Sequence, residues 1–124
     1  LEKDYRATLL RFLALQARGS DTAREDVRAL RERLFLHGEP DPAALRQVLK
    51  LLEREDLRPE LAALGQPTLV LGGERDNLAP VAALEAAAAR MPRGECHVVP
   101  GAGHAPFLSH RATVIALLRE FLDG

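Results

Sequence analysis

Two titratable side chains, Asp76 and His104, each follow a short apolar run that ends in glycines. The run before Asp76 covers residues 67–73, and the run before His104 covers residues 97–103. Short apolar runs bounded by proline and glycine predict strands buried in a parallel sheet. Because the carboxyl ends of parallel strands meet at one edge, we expect the carboxylate and the imidazole to lie side by side there.

This pair has the residue types of an acid–base relay. A carboxylate that accepts the Nδ1–H of an imidazole fixes its tautomer and stabilises the imidazolium, so that the ring can act as general base and then as general acid. Taken singly, Asp76 is also compatible with a solvated turn aspartate and His104 with an ordinary surface histidine. Glu74 is the competing acid. The occurrence of both residues after neighbouring strands favours a catalytic pair.

A serine nucleophile for such a pair is missing from the sequence. A strained turn that presents a reactive serine has glycines two positions before and after it. Ser20 and Ser109 are the only serines, and neither has this pattern. Ser109 is expected to cap the last helix instead. We interpret the chain as the back portion of a serine hydrolase, whose nucleophile lies in an N-terminal half outside this sequence.

The histidines do not predict a metal site. Pro106 stands between His104 and His110, so the two cannot share a helix face, and His37 and His97 fall in unrelated elements. We expect neither a metal nor a cofactor.

The predicted architecture has two parts. Residues 3–57 are predicted to form three amphipathic helices, and the third begins with Asp41 as cap and Pro42 at its first position. Residues 58–124 read as strand, helix, strand, helix, with strands at 68–71 and 97–99 and helices at 82–90 and 112–122. The inward faces are predicted at Leu9, Phe12 and Leu13; Ala23, Val27, Leu30 and Leu34; Leu45, Val48, Leu49 and Leu52; and Val114, Ile115, Leu118 and Phe121. The fold class is α/β, and two strands alone cannot complete such a sheet.

The composition of the chain argues against some classes of binding partner. A chain of 124 residues that is 47% hydrophobic and 28% charged is typical of a globular protein. A net charge of −1, no Trp and one Tyr argue against nucleic acid. No apolar stretch reaches the ~20 residues that span a bilayer, and the first residues lack the features of a signal peptide. Cys96 is the only cysteine, which excludes an intramolecular disulfide, and we expect the cytoplasm as compartment.

Arginines are frequent in the first two predicted helices. Arg24, Arg28 and Arg31 are spaced by four and three residues, so they line one face of the second helix. Arg11 belongs to the first helix. Such a face is either a solvated surface, neutralised by neighbouring acidic residues such as Glu32, or a docking surface for an acidic partner or a phosphate group.

Four segments carry a resemblance to a known family. Residues 11–16, 22–30, 56–58 and 104–110 together resemble the BioH-type esterases, which hydrolyse pimeloyl-acyl carrier protein methyl ester in biotin synthesis. The resemblance spans essentially the whole chain. The acid and histidine motifs are shared by many α/β-hydrolases, whereas the helical segments are more specific.

The resemblance implies a fold and a set of roles. Residues 1–57 would be most of a helical lid, and residues 58–124 the C-terminal part of an α/β-hydrolase core. Asp76 would be the acid and His104 the base of a Ser-His-Asp triad. Arg11, Arg24 and Arg28 would belong to the lid arginines that meet acyl carrier protein, while the apolar lid faces would hold the acyl chain.

The sequence departs from this family in two respects. Ala7 stands where the pattern has a further arginine, beside Arg6, and the early strands, the oxyanion-hole loop and the serine turn are absent. Two alternatives stay open. One is a different esterase or lactonase with the same acid and histidine, such as an enol-lactonase; the other is a non-catalytic binding or assembly module.

Overall fold

The computed structural model describes residues 4–18, 20–34, 36, 38 and 41–124, without the side chains of Ala17 and Asp26. Gly19 and His37 lie outside the described residues. The order of the elements is three helices, then strand, helix, strand and two helices. This order confirms the predicted α/β architecture and adds one short helix.

The first part of the chain forms three helices, as predicted, and the third begins at the predicted position. Helix α1 spans Tyr5–Ala17, α2 spans Ala23–Leu34 and α3 spans Pro42–Arg54. Asp4 caps α1 by accepting a hydrogen bond from the Ala7 amide at 3.0 Å. Asp41 caps α3 in the same way through the Ala43 amide, with proline at the first position, as predicted.

Helices α1 and α2 pack against each other. Leu13 of α1 is buried, whereas Phe12, predicted to face inward, is 45% exposed. The predicted inward residues of α2 are half-buried. The apolar stripe therefore marks the packed side of each helix, although in α1 the large aromatic side chain of Phe12 is less buried than Leu13.

The predicted inward face of α3 is wrong for the described part of the chain. Leu45 is half-buried, but Val48, Leu49 and Leu52 are 53%, 45% and 73% exposed. Periodicity predicts which side of a helix is apolar but not what covers that side. None of the described elements covers this face of α3, which continues into a cavity of about 690 Å³ bounded by residues 51–58 and Leu61.

The two strands form a parallel pair. Strand β1 spans Thr68–Gly73 and β2 spans Gly94–Val99, in a register that runs from Thr68 opposite Gly94 to Gly73 opposite Val99. Helix α4, Val81–Ala88, connects them and packs on both strands. Residues 68–71 are half-buried among the described residues, less than the complete burial that their apolar run predicts.

The core lies where β2 meets the last helix. Helix α5 spans Pro106–Ser109 and α6 spans Arg111–Asp123. Val99, Ala102 and Val114 are buried together, with Leu71 and Leu117 packed on them. The prediction for α6 holds for Val114 and Phe121 and is wrong for the other two predicted positions: Ile115 and Leu118 are 37% and 43% exposed, because the helix presents Leu117 to the core instead.

The division of the chain at residue 57 stays a prediction. Between α3 and β1 lies a single 3-10 turn, Glu60–Ala63. Among the described helices, none is both long enough and apolar enough to cross a membrane.

Candidate active site

The register of the strands places two loops together. Gly73 at the end of β1 stands opposite Val99 at the end of β2. The loop after β1 carries Asp76 and the loop after β2 carries His104, so both side chains start from the same edge of the sheet. We call these segments the acid loop, residues 74–79, and the histidine loop, residues 100–105.

Backbone contacts join the two loops. The amide of Glu74 donates to the carbonyl of Val99 at 3.0 Å, and the amide of Arg75 donates to the carbonyl of Ala102 at 2.9 Å. A Cβ atom at Gly73 would collide with the backbone of Ala102 and Gly103. Glycine at position 73 therefore permits this close approach.

A second glycine shapes the histidine loop. Gly101 has a φ of 71°, in the left-handed region, and a Cβ atom there would collide with the carboxylate of Asp21. The Gly101 amide donates to Glu74 Oε2 at 2.8 Å. The side chain of Glu74 thus holds the start of the histidine loop, and it is Asp76 that reaches the imidazole.

The contact between Asp76 and His104 is the centre of the site. His104 Nδ1 lies 2.8 Å from Asp76 Oδ2, which is the contact the sequence predicts. The Asp76 side chain is 3% exposed, whereas that of His104 is 38% exposed. An ionised carboxylate can only accept, so Nδ1 carries the proton and donates it. This tautomer leaves Nε2 with the lone pair that can take a proton from another group.

The second oxygen of Asp76 is also occupied. Oδ1 accepts hydrogen bonds from the amides of Leu78 at 2.8 Å and Ala79 at 3.0 Å. Burial raises the pKa of Asp76, but the hydrogen bonds from Ala79, His104 and Leu78 together outweigh it, so that the pKa of the carboxyl is lower than usual. The carboxylate is therefore ionised at neutral pH and fixed at both oxygens.

The serines of the chain are engaged elsewhere. Ser20 is buried, and its Oγ accepts a hydrogen bond from the Thr22 amide at 3.3 Å. Ser109 Oγ donates to the Ala105 carbonyl at 3.3 Å and lies 2.8 Å from His110 Nδ1. The prediction that Ser109 caps the last helix is wrong, because Ser109 ends α5 and His110 occupies the position before α6.

The three arginines that the resemblance assigns to carrier-protein binding lie on the surface of the first two helices. Arg11 on α1 and Arg24 and Arg28 on α2 are exposed. Arg28 Nε also donates to Glu32 Oε1 at 3.0 Å, one helical turn later. Part of this face is therefore neutralised within the helix, as the solvated-surface interpretation expects, and an exposed pair of this kind is weak enough to be exchanged for a partner's carboxylate.

Sequence reasoning missed the contacts between the helical segment and the two loops. The amide of His104 donates to the carbonyl of Gln16 at 3.0 Å, and Arg75 forms an ion pair with Asp21 at 2.5 Å. The partners are far apart in the chain, and the residues around them follow no recognisable motif. No pattern in the sequence could have found these contacts.

The described residues contain no cluster of three or more His, Cys, Asp or Glu side chains that could hold a metal ion. Cys96 lies half-buried in β2, where burial raises the pKa of its thiol. A thiol in that state is a poor nucleophile.

Comparison with known proteins identifies the family of the chain. A family model described as the alpha/beta hydrolase family matches residues 3–117. The chain belongs to the α/β-hydrolase family. In this family the triad acid precedes the histidine along the chain, which is also the order of Asp76 and His104.

Curated relatives are similar along nearly the whole chain. The chain is 50% identical over 122 residues to a pimeloyl-acyl carrier protein methyl ester esterase of Xanthomonas oryzae pv. oryzae, covering 98% of this chain and 48% of that protein. It is 47% identical over 124 residues to an esterase of the same name from Stenotrophomonas maltophilia, covering 100% of this chain and 48% of that protein. The chain therefore spans about half the length of the curated relatives it matches.

Solved structures share the fold. A thermophilic esterase from Thermogutta terrifontis is 39% identical and has a TM-score of 0.57, covering 60% of this chain and 28% of that one. Est816, described as an N-acyl homoserine lactone degrading enzyme, has a TM-score of 0.73 at 22% identity, covering 97% of this chain and 48% of that one. At that identity the second likeness shows the fold alone.

The buried, hydrogen-bonded carboxylate of Asp76 should contribute to the stability of the fold. Asp76→Asn should lower the free energy of unfolding by about 1 to 3 kcal/mol at neutral pH, because a buried charge-assisted hydrogen bond is lost. The pKa of Asp76 is lower than its usual 3.8 in the folded protein, so its ionised form stabilises the fold above pH 3.8 and ceases to do so as the pH falls through the folded-state pKa.

Urea unfolding of the wild type and the Asp76→Asn variant at several pH values between about 7 and 3 measures this effect. The difference between the two proteins should shrink toward the acid end. A difference that is constant over the whole range would mean that the charge of Asp76 contributes nothing to the fold.

Proposed function

We propose that this chain supplies the acid and the histidine of a Ser-His-Asp triad in a carboxylic ester hydrolase, with Asp76 and His104 in those roles. The observation that carries the proposal is the 2.8 Å contact between His104 Nδ1 and a buried carboxylate, at the edge where two parallel strands end. The nucleophilic serine and the oxyanion hole belong to a part of the enzyme outside this sequence.

The proposed reaction is acyl transfer to water. His104 Nε2 takes the proton of the serine hydroxyl as the serine oxygen attacks the ester carbonyl, and Asp76 stabilises the imidazolium that forms. The imidazolium then protonates the departing alcohol, leaving an acyl-enzyme. A water molecule, deprotonated by the same Nε2, attacks the acyl-enzyme, and the imidazolium returns this proton to the serine oxygen as the free acid is released.

We propose pimeloyl-acyl carrier protein methyl ester as the substrate, so that methanol leaves and a free carboxylate is produced at the end of the acyl chain. The support is the 50% identity to esterases of that name and the exposed arginines on α1 and α2. Residues 1–57 would then serve as a lid, with Arg11, Arg24 and Arg28 facing the acidic carrier protein. The compartment that fits such a carrier is the cytoplasm.

A second candidate is a carboxylesterase that acts on a small free ester. The 39% identity to the Thermogutta terrifontis esterase favours it. Both candidates use the same acid and histidine. They differ in whether the arginine face contributes to substrate binding.

The catalytic assignment predicts a hierarchy of losses in the complete enzyme. Asp76→Asn should lower kcat on p-nitrophenyl butyrate by about 10⁴-fold, because the imidazole loses its tautomer, and His104→Ala should lower it further, by about 10⁶-fold, because the base itself is removed. Glu74→Gln, in the same loop, is the matched control and should cost less than about tenfold.

The 124-residue chain by itself should give no burst of p-nitrophenol, since neither Ser20 nor Ser109 has the flanking glycines of the turn that presents a reactive serine. A burst stoichiometric with this chain would reveal a nucleophile within it.

In the complete enzyme, a loss of kcat in Glu74→Gln as large as that in Asp76→Asn would identify Glu74 as the triad acid instead.

The carrier-protein proposal predicts a split between substrates. Replacing both Arg24 and Arg28 with alanine in the complete enzyme should raise KM for the carrier-bound ester about tenfold or more, because charge-assisted contacts are each worth roughly 1–3 kcal/mol. KM for p-nitrophenyl butyrate should stay within about twofold. The difference should shrink with added salt, since docking between exposed charges is screened.

Arg33→Ala, an exposed arginine on α2 outside the proposed face, is the matched control. It should leave both KM values unchanged. Equal losses on both substrates in the Arg24 and Arg28 variant would favour the second candidate, because the arginines would then support the enzyme without recognising a carrier.

A further inference from the structure

The turn between α1 and α2 lies against both loops of the acid–base pair. Its described residues are 18 and 20–22. The carbonyl of Gln16, at the end of α1, accepts the amide of His104, and the carbonyl of Arg18 accepts the side-chain amide of Asn77 at 3.4 Å. The helical segment therefore contacts the backbone of the histidine itself and the acid loop one residue after Asp76.

Asp21 in this turn is bonded to both loops at once. Its amide donates to the Gly101 carbonyl at 3.1 Å, and its carboxylate lies where a Cβ atom of Gly101 would stand. Its Oδ1 pairs with the guanidinium of Arg75 at 2.5 Å. Arg75 is the residue directly before Asp76, and its own amide donates to Ala102 in the histidine loop.

These contacts close a ring: from Arg75 through its side chain to Asp21, from Asp21 through its amide to the histidine loop, and from that loop back to the Arg75 amide. The ion pair is about half exposed on both sides, at 49% for Arg75 and 57% for Asp21. Exposed pairs contribute little to the stability of a fold. Its place in the ring is what distinguishes this pair, because it joins the residue before Asp76 to the turn that is hydrogen-bonded to the histidine loop.

We infer that Asp21 and Arg75 are positioning residues of the hydrolase, which hold the acid and histidine loops in the register that the Asp76–His104 contact requires. The inference rests on the proposed function of that contact. A displacement of about 1 Å in a catalytic group can lower a rate by about 10²-fold, so even a small change in the distance between the two loops should be measurable in the rate.

If the two residues position the loops, their loss should lower kcat and leave KM nearly constant. Asp21→Ala and Arg75→Ala in the complete enzyme should each lower kcat on p-nitrophenyl butyrate about tenfold while KM changes less than about twofold, since neither side chain binds a small ester. The double variant should be no worse than the weaker single variant, because both substitutions remove the same contact. Arg75→Lys, which keeps the cation, should recover most of the rate.

The matched control is the ion pair between Asp56 and Arg58. It is also an exposed Arg–Asp pair at 2.5 Å, with the side chains 50% and 70% exposed, but it lies between α3 and the 3-10 turn. Asp56→Ala and Arg58→Ala should leave kcat unchanged. All rates are expressed per folded enzyme, measured by circular dichroism, so that a loss of folding is not counted as a loss of rate.

A spectroscopic measurement separates positioning from a general loss of stability. The proton between His104 Nδ1 and Asp76 should give a low-field NMR resonance in the complete wild-type enzyme. We expect this resonance to shift upfield or broaden in Asp21→Ala and Arg75→Ala and to stay in place in Asp56→Ala. If Asp21→Ala does not fold, the comparison of Arg75→Ala with Arg75→Lys provides the same test.

The inference is overturned by a kcat loss below twofold, by equal changes in kcat and KM, or by an unchanged His104 resonance. The His104→Ala variant in the same assay distinguishes a failure of the positioning role from a failure of the proposed function. Full activity in His104→Ala would contradict the proposed function itself. An inactive His104→Ala beside a fully active Arg75→Ala would contradict only the positioning role.

Discussion

The parallel pairing of β1 with β2 is the constraint on which the rest of the site depends. In this register Gly73 stands opposite Val99, so that the chain leaves both strands at the same edge. The two loops that follow are then close enough to exchange backbone hydrogen bonds, and Asp76 and His104 meet although 28 positions separate them. A slip of one residue would turn every strand side chain to the other face and separate the two loops.

The two acids of the acid loop have different tasks, and their surroundings explain the difference. Asp76 is buried and receives two backbone amides at one oxygen and the imidazole at the other. Glu74 is exposed and accepts the amide of Gly101, so it shapes the loop that carries His104. One carboxylate orients the imidazole, and the other holds the backbone on which that imidazole stands.

The sequence contains the local part of this structure. Apolar runs that end in glycine predict β1 and β2, and Asp41 followed by Pro42 predicts the start of α3. The contact between Asp76 and His104 follows from the order of strands and loops. These features were predictable because each depends on residues close together in the chain or on a rule of sheet topology.

The sequence does not determine the features that depend on which surfaces of the helices and loops pack against each other. The stripe of α3 predicts an inward face, yet Leu52 is 73% exposed, since periodicity does not say what packs on a helix. The sequence does not predict helix α5, which ends at Ser109, so that His110 rather than Ser109 occupies the cap position of α6. The pair of Asp21 and Arg75 joins residues 54 positions apart that share no motif.

The proposed triad requires that His104, oriented by Asp76, accept a proton from a serine in another part of the enzyme. A crystal structure of the complete enzyme with a phosphonate covalently bound to its nucleophile would show this arrangement. We expect His104 Nε2 to lie about 2.6 to 3.2 Å from the serine Oγ or from a phosphonate oxygen, with Nδ1 still hydrogen-bonded to Asp76. A phosphonate attached to a residue out of reach of His104, or an imidazole turned toward Glu74, would contradict it.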